Sequence, residues 1–284
     1  MDLGVHLPLM PFGEERLSLA RLENTVDAAR ECGFAAIAAN DHLVFRTPWL
    51  DGPTALASMI ERSGEMALAT TVSLAVVRGP VPLAKALTAI DLLSGGRLVA
   101  AVGPGSSPRD YEAVGLHFEE RWKLLDEAIA VLRPLLQGET IAPAPHRPVP
   151  LWIGSWGSKA GLARVARAGD GWLASAYNTT SEQFAAARAE LPNGLPNALA
   201  TMWTWVTPDR AEGERMLAEV LAPTLNRDPE ELRARTCIGP PEHCAELLSR
   251  YAQAGCERVY LWPLGAEPAQ LELIAGEVAP LITP

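Results

Sequence analysis

Basic side chains are scarce in this chain of 284 residues: 24 lysines and arginines stand against 34 aspartates and glutamates, a formal net charge of −10. A surface of that sign has no general attraction for phosphate backbones or anionic lipid, so no nucleic-acid partner is expected. Long apolar runs are missing too. The longest weakly charged stretch, MALATTVSLAVV at 66–77, falls well short of a membrane span, and no membrane association is expected. The first residues, MDLGVHLPLM, lack a basic segment ahead of an apolar one, so the expectation is no signal peptide and a cytoplasmic location. Cys32, Cys237, Cys244 and Cys256 form no CxxC and have no clustered histidine, which reads as buried or idle thiols. His6, His117, His146 and His243 have no metal-ligand spacing and no HExxH occurs, so no metal is expected.

What remains is ordinary for a globular protein, with 48% hydrophobic and 20% charged residues. One unit recurs: ARECGFAAIAAN (29–40), LLSGGRLVAAVG (92–103), ARAGDGWLASAY (166–177) and AQAGCERVYLWP (252–263). Each reads as a helix end, a glycine suited to the position just past it, and a short β-type run. The preceding helices carry apolar stripes at spacings of three and four: Leu19, Leu22, Val26 and Ala29; Leu83, Leu87 and Ile90; Trp122, Leu125, Ile129, Leu132 and Leu136. These stripes read as core, and Pro134 is expected to bend or end the last turn of its helix.

The resulting order is strands at 2–8, 34–40, 66–77, 97–103, 149–155, 171–177, 199–207 and 257–263. Helices are expected at 17–32, 53–63, 81–94, 119–137, 158–168, 181–191, 209–222 and 268–281, with another at 241–254. Strict alternation means parallel strands with helical crossovers, and eight units favour an α/β fold, a single (β/α)8 barrel over 1–284. The segment 209–254 between strands seven and eight is enlarged. A Rossmann-like sheet is the alternative, prompted by GPGSSP at 103–108. That motif would want glycine or alanine where Pro108 stands, and would usually sit at the first strand.

In such a barrel, chemistry gathers at the carboxyl ends of the strands. There stand Asn40, Asp41 and His42; Thr70, Thr71 and Ser73; Gly103, Gly105, Ser106 and Ser107; GSWGSKA at 154–160; Tyr177, Asn178 and Thr179; and Trp203, Trp205 and Trp262. Polar, glycine-rich and aromatic residues on one rim suit a flat polar ligand. In GSWGSKA, Gly157 allows close backbone approach and Ser158 can cap the next helix, whose N-terminus would favour a phosphate; an ordinary capped helix is the competing reading. His42 is either a structural histidine at a strand end or, by its position, a proton donor beside a reacting ring. Asp41 is expected to orient it or stabilise its protonated form. Arg121 and Lys123 read as solvated or structural.

The segments VPLAKALTAIDLLSGGRLVAAVGPG (81–105) and YEAVGLHFEERWKLLDEAIAVLRPLLQG (111–138) resemble the luciferase-like flavin- and F420-dependent oxidoreductases, and two further blocks at 149–173 and 237–261 extend the likeness along nearly the whole chain. The resemblance implies a TIM barrel holding F420 or FMN at its rim. Asp41 and His42 match the Asp-His pair typical of F420-using members, which makes F420 the first choice and His42 the residue beside the reactive carbon. It also implies a non-prolyl cis peptide at Thr71–Val72, in a bulge behind the ring that includes Ser73. Gly103, Gly105 and Ser106 would line the ring or its tail, and Gly154, Trp156, Gly157 and Ser158 would hold the phosphate.

The chain departs from members that oxidise sugar phosphates, which carry a carboxylate where Ser106 stands and additional basic residues for the phosphate. A neutral, partly apolar substrate is expected instead, against Tyr177, Asn178, Trp205 and Trp262. The activity implied is hydride transfer. The alternatives are an FMN-dependent monooxygenase supplied with FMNH2 by a reductase, and a cofactor-binding barrel without catalysis. A homodimer, with a flavin or F420 reductase as a further partner, also follows from the resemblance.

Overall fold

The computed structural model describes residues 1–13 and 16–283. Among them run nine parallel strands: β1 (Asp2–His6), β2 (Ala36–Ala39), β3 (Ala67–Leu74), β4 (Leu98–Gly103), β5 (Leu151–Gly154), β6 (Gly171–Ser175), β7 (Asn197–Val206), β8 (Cys237–Gly239) and β9 (Arg258–Pro263). Eight close into a ring in the order β1 to β7 and then β9, which pairs back to β1: a (β/α)8 barrel. The ninth, β8, lies outside that ring and pairs only with the last residues of β7.

The crossovers are α1 (Leu19–Glu31), α2 (Gly52–Ser58), α3 (Pro80–Leu93), α4 (Pro108–Ala113), α5 (Arg121–Leu136), α6 (Lys159–Ala168) and α7 (Ser181–Ala189). The enlarged segment after β7 holds α8 (Arg210–Arg215), a π-helical stretch, Met216–Leu221, α9 (Ala222–Leu225), α10 (Pro229–Arg233), β8 and α11 (Pro241–Gln253). Finally α12 (Glu267–Leu273) leads into a second π-helical stretch, Ile274–Val278. No helix among the described residues is long and apolar enough to cross a membrane.

Two expectations need correction. The elements α4, α10 and β8 are additions to the expected order, because they carry too few residues to show a period. Pro134 falls in the last turn of α5, which ends two residues later, in line with expectation. The stripes are narrower than expected at their N-terminal ends, where Leu19 is 56% and Trp122 43% exposed.

The core has two parts. Between strands and helices lies the larger one, with Val5, Ile37, Leu68, Leu87, Leu132, Val165 and Leu261. Each such side chain contributes roughly 1.5–3 kcal/mol by burial. Inside the barrel the wall is mostly alanine, Ala36, Ala38, Ala69, Ala101, Ala198 and Ala200, filled by Leu173, Tyr260 and Trp152. Glycines make that filling fit: a Cβ at Gly4 would stand 2.7 Å from the Tyr260 ring, and one at Gly171 2.3 Å from the Trp152 ring. The interior is thus closed in its lower half, and open space begins where the strands end.

Candidate functional site

The carboxyl ends of the strands enclose a cleft of about 450 Å3. Asn40, Asp41 and His42 enter from the end of β2, Thr71, Val72 and Leu74 from β3, and Gly103 to Ser106 from β4. Phe118 comes from the 3-10 turn just before α5, Arg121 and Trp122 from the start of α5, Gly154 from the end of β5, and Ser155, Trp156 and Ser158 from the β5–α6 loop. Leu173 to Ser175 and Tyr177 come from β6 and its extension, and Ala200 and Thr201 from β7.

His42 is held by a residue far away in sequence. Its Nδ1 lies 2.7 Å from Oδ2 of Asp110 in α4, while Oδ1 of Asp110 accepts the N–H groups of Leu43 at 2.9 Å and Val44 at 2.7 Å. Burial opposes the charge on Asp110, but the bonds from His42, Val44 and Leu43 outweigh it and its pKa lies below the usual carboxylate value. A charged carboxylate only accepts, so Nδ1 carries the hydrogen and Nε2 is the nitrogen left for a ligand. Phe45 stacks on the imidazole at 4.2 Å and Trp49 meets it edge-on at 4.8 Å, fixing the ring plane.

Asp41 does not orient His42, contrary to expectation. Its carboxylate takes both forks of Arg78, one at 2.6 Å, and the Leu74 N–H at 3.2 Å. Arg78 also pairs with Asp51, the N-cap of α2. Burial works against the guanidinium charge, yet the two carboxylates prevail and raise its pKa. The triad pins the end of β2 to β3 and α2, so Asp41 shapes the loop that carries His42.

Across the cleft, the register between β3 and β4 shifts between Thr71 and Ser73, and the Thr71–Val72 peptide is cis, as the resemblance implied. The bulge turns Val72 into the cleft, where it fills the space left by two glycines. A Cβ at Gly103 or at Gly154 would come within 2.9 Å of a Val72 methyl. Ser73 is not on the cleft wall and is buried with an unpartnered hydroxyl.

Ser158 caps α6 by accepting the Gly161 N–H, and Gly157 has the left-handed φ of 89° that such a turn requires. Gly157 itself is off the cleft wall, but its neighbours Trp156 and Ser158 are on it. Arg121, read from sequence as structural, lines the same cleft and lies over the Phe118 ring at 4.1 Å. It is the single cation among the described lining residues.

The residues expected to bind substrate divide. Tyr177 is on the wall. Asn178 is occupied elsewhere, donating to Ser175 Oγ and accepting from Arg227, both at 3.0 Å. Trp262 has no exposed surface; it is stacked with His6 at 4.5 Å and with Trp203 at 4.5 Å. Trp205 sits where β7 runs on to pair with β8, beyond the ring. Trp262 supports the loop carrying His42 through Trp49, edge-on to it at 5.7 Å, and neither Trp205 nor Trp262 is on the cleft wall.

Residues 5–198 match the family model described as luciferase-like monooxygenase. An F420-dependent glucose-6-phosphate dehydrogenase of Gordonia bronchialis is 30% identical over 174 residues, covering 51% of this chain and 50% of that protein. The chain spans between about a third and a half of the length of the curated relatives it matches. Among solved structures, a monooxygenase from Streptomyces bottropensis superimposes with a TM-score of 0.81 at 18% identity, covering 99% of each chain. An F420-dependent secondary alcohol dehydrogenase in complex with an F420-acetone adduct gives 0.79 at 17%, covering 100% and 99%. The oxygenating constituent of 3,6-diketocamphane monooxygenase of Pseudomonas putida, in complex with FMN, gives 0.73 at 14%, covering 100% and 99%. At these identities the structural likeness establishes the fold.

Proposed function

The chain belongs to the luciferase-like monooxygenase family, and from that premise we propose that it is an F420-dependent oxidoreductase moving a hydride between the deazaflavin and a small, neutral, partly apolar substrate. The observation that carries this reading is His42 on the cleft wall with Nδ1 committed to Asp110 and Nε2 left for a ligand. The relatives and the alcohol dehydrogenase structure named for F420 support the choice of cofactor.

The cleft suits a flat ring with an anionic tail. Val72 and the bare backbone of Gly103, Gly105 and Gly154 make a wall without side-chain obstruction. Asn40 lines the cleft with its Oδ1 buried and unpartnered, an acceptor that a ligand N–H would satisfy. Arg121, Ser158 and the N-terminal N–H groups of α6 would hold a phosphate. When bound, F420 supplies a two-electron hydride carrier with little reactivity towards oxygen. His42 holds or moves the proton at the substrate heteroatom, Asp110 keeps its tautomer, and Tyr177 with Leu173 offers an apolar flank. The cleft has Ser106 where sugar-phosphate oxidising members carry a carboxylate, and this supports a neutral substrate.

His42→Ala tests the reading. Hydride transfer to or from F420 across a panel of alcohols and carbonyl compounds is expected to fall by 100-fold or more, roughly the size of a general-acid contribution, with F420 affinity little changed. Full activity in the variant would reject the role. The monooxygenase structures favour a second reading, FMNH2-dependent oxygenation with a partner reductase. It requires oxygen consumption coupled to substrate.

A further inference from the structure

His6 closes β1 directly beneath the cleft and is fully buried. Its Nε2 accepts the backbone N–H of Thr201 at 3.1 Å, and its Nδ1 lies 3.5 Å from Thr71 Oγ1. Both partners belong to irregular places in the barrel. Thr71 opens the bulge of β3, and Thr201 lies in the register shift between Leu199 and Met202 of β7, with φ of 61°. Both also line the cleft. One imidazole therefore ties two bulges on different strands into a single floor.

The bonding fixes the tautomer. An Nε2 that accepts an amide N–H carries no hydrogen, so the hydrogen of neutral His6 is on Nδ1 and is donated to Thr71 Oγ1. The groups packed on the ring, Thr71, Thr201, Tyr260 and Trp262, bring no charge at neutral pH. Burial drives the pKa down to about 3, so the imidazole stays neutral. With its lone pair engaged, the Thr71 hydroxyl has its own hydrogen free.

We propose that His6 is a positioning residue that sets the Thr71 hydroxyl as a hydrogen-bond donor into the cleft, to an acceptor atom of the bound ring. The 3.5 Å separation is at the long end for such a bond and is expected to tighten when the cleft is filled. The proposal rests on the ring-binding reading above for its ligand, and on the protein alone for its tautomer.

Two measurements test it. Nitrogen-15 NMR of histidine-labelled protein is expected to show His6 as the neutral Nδ1–H tautomer from pH 5 to 8; an Nε2–H tautomer, or titration near pH 6.5, overturns the inference and leaves the ring-binding reading standing. Fluorescence titrations with F420 and with FMN then compare variants. Thr71→Val is expected to weaken binding about tenfold, the size of one hydrogen bond, Thr71→Ser to restore it, and His6→Phe to weaken it no further in the Thr71→Val background. Independent, additive losses would show that His6 only packs, which overturns the proposal. Failure of the wild-type protein to bind either ring while His6 keeps the Nδ1–H tautomer would overturn the ring-binding reading and the ligand half of this one, sparing the tautomer assignment.

Discussion

At the scale of single residues, the site holds two ionic arrangements with different proposed duties. In the proposed function the His42–Asp110 pair is chemical. Asp110→Asn preserves shape but replaces a pure acceptor by an amide that can present its NH2 to Nδ1, so the imidazole loses its fixed tautomer. Turnover should fall on the order of 100-fold with little change in cofactor affinity, and steady-state rates beside an F420 titration of the variant are the check; unchanged turnover would mean that Asp110 does not set the tautomer. The Arg78–Asp41–Asp51 triad is architectural. Arg78→Met strands the almost fully buried Asp41 carboxylate, and urea unfolding should show a loss of about 3–5 kcal/mol. A loss under 1 kcal/mol would mean that water reaches Asp41 freely.

At the scale of elements, the bulge of β3 is matched by the glycines of its neighbours. Gly154→Ala brings a Cβ within 2.9 Å of Val72, and overpacking of that kind costs about 1–3 kcal/mol. The expected result is a lowered Tm and weakened ring binding, with the Tm restored by adding Val72→Ala; an unchanged Tm in the single variant would show that the bulge yields. Much at this scale was legible beforehand. Helices α1, α3 and α5 announced themselves by spacing, and the glycines after α1, α3 and α11 are left-handed as expected, whereas Gly169 after α6 is extended. What escaped was non-local or short. Asp110 is 68 residues from His42, and nothing local marks it as a partner. Trp262 and Arg121 exchange roles because the sequence shows which rim a residue occupies and not which way the strand or helix turns it. β8 has three residues, too few for any period.

At the scale of the whole molecule, the buried histidine links stability to pH. His6 is neutral when folded, with a pKa of about 3, but titrates near 6.5 when unfolded. The unfolded chain therefore binds more protons below pH 6.5, and stability falls as pH drops from about 6.5 towards 3, by roughly 1.4 kcal/mol per unit at most from this group. Asp110 and Asp51, whose folded pKa values are depressed, add stability that is present above about pH 4 and lost as pH falls through their folded values. Urea midpoints of wild type and His6→Phe should run parallel above about pH 6.5 and diverge as pH falls from there towards 3, both sharing the carboxylate-driven loss at the acid end; parallel curves throughout would mean that His6 is solvated or charged.

The central claim is that this rim holds a deazaflavin for hydride transfer. It is tested most directly by titrating the purified protein with F420 and, separately, with FMN, following fluorescence. The account predicts tight F420 binding and weak FMN binding. The reverse preference would contradict it and make the protein a candidate FMN-dependent monooxygenase, and binding of neither would leave the cleft without the ligand assigned to it.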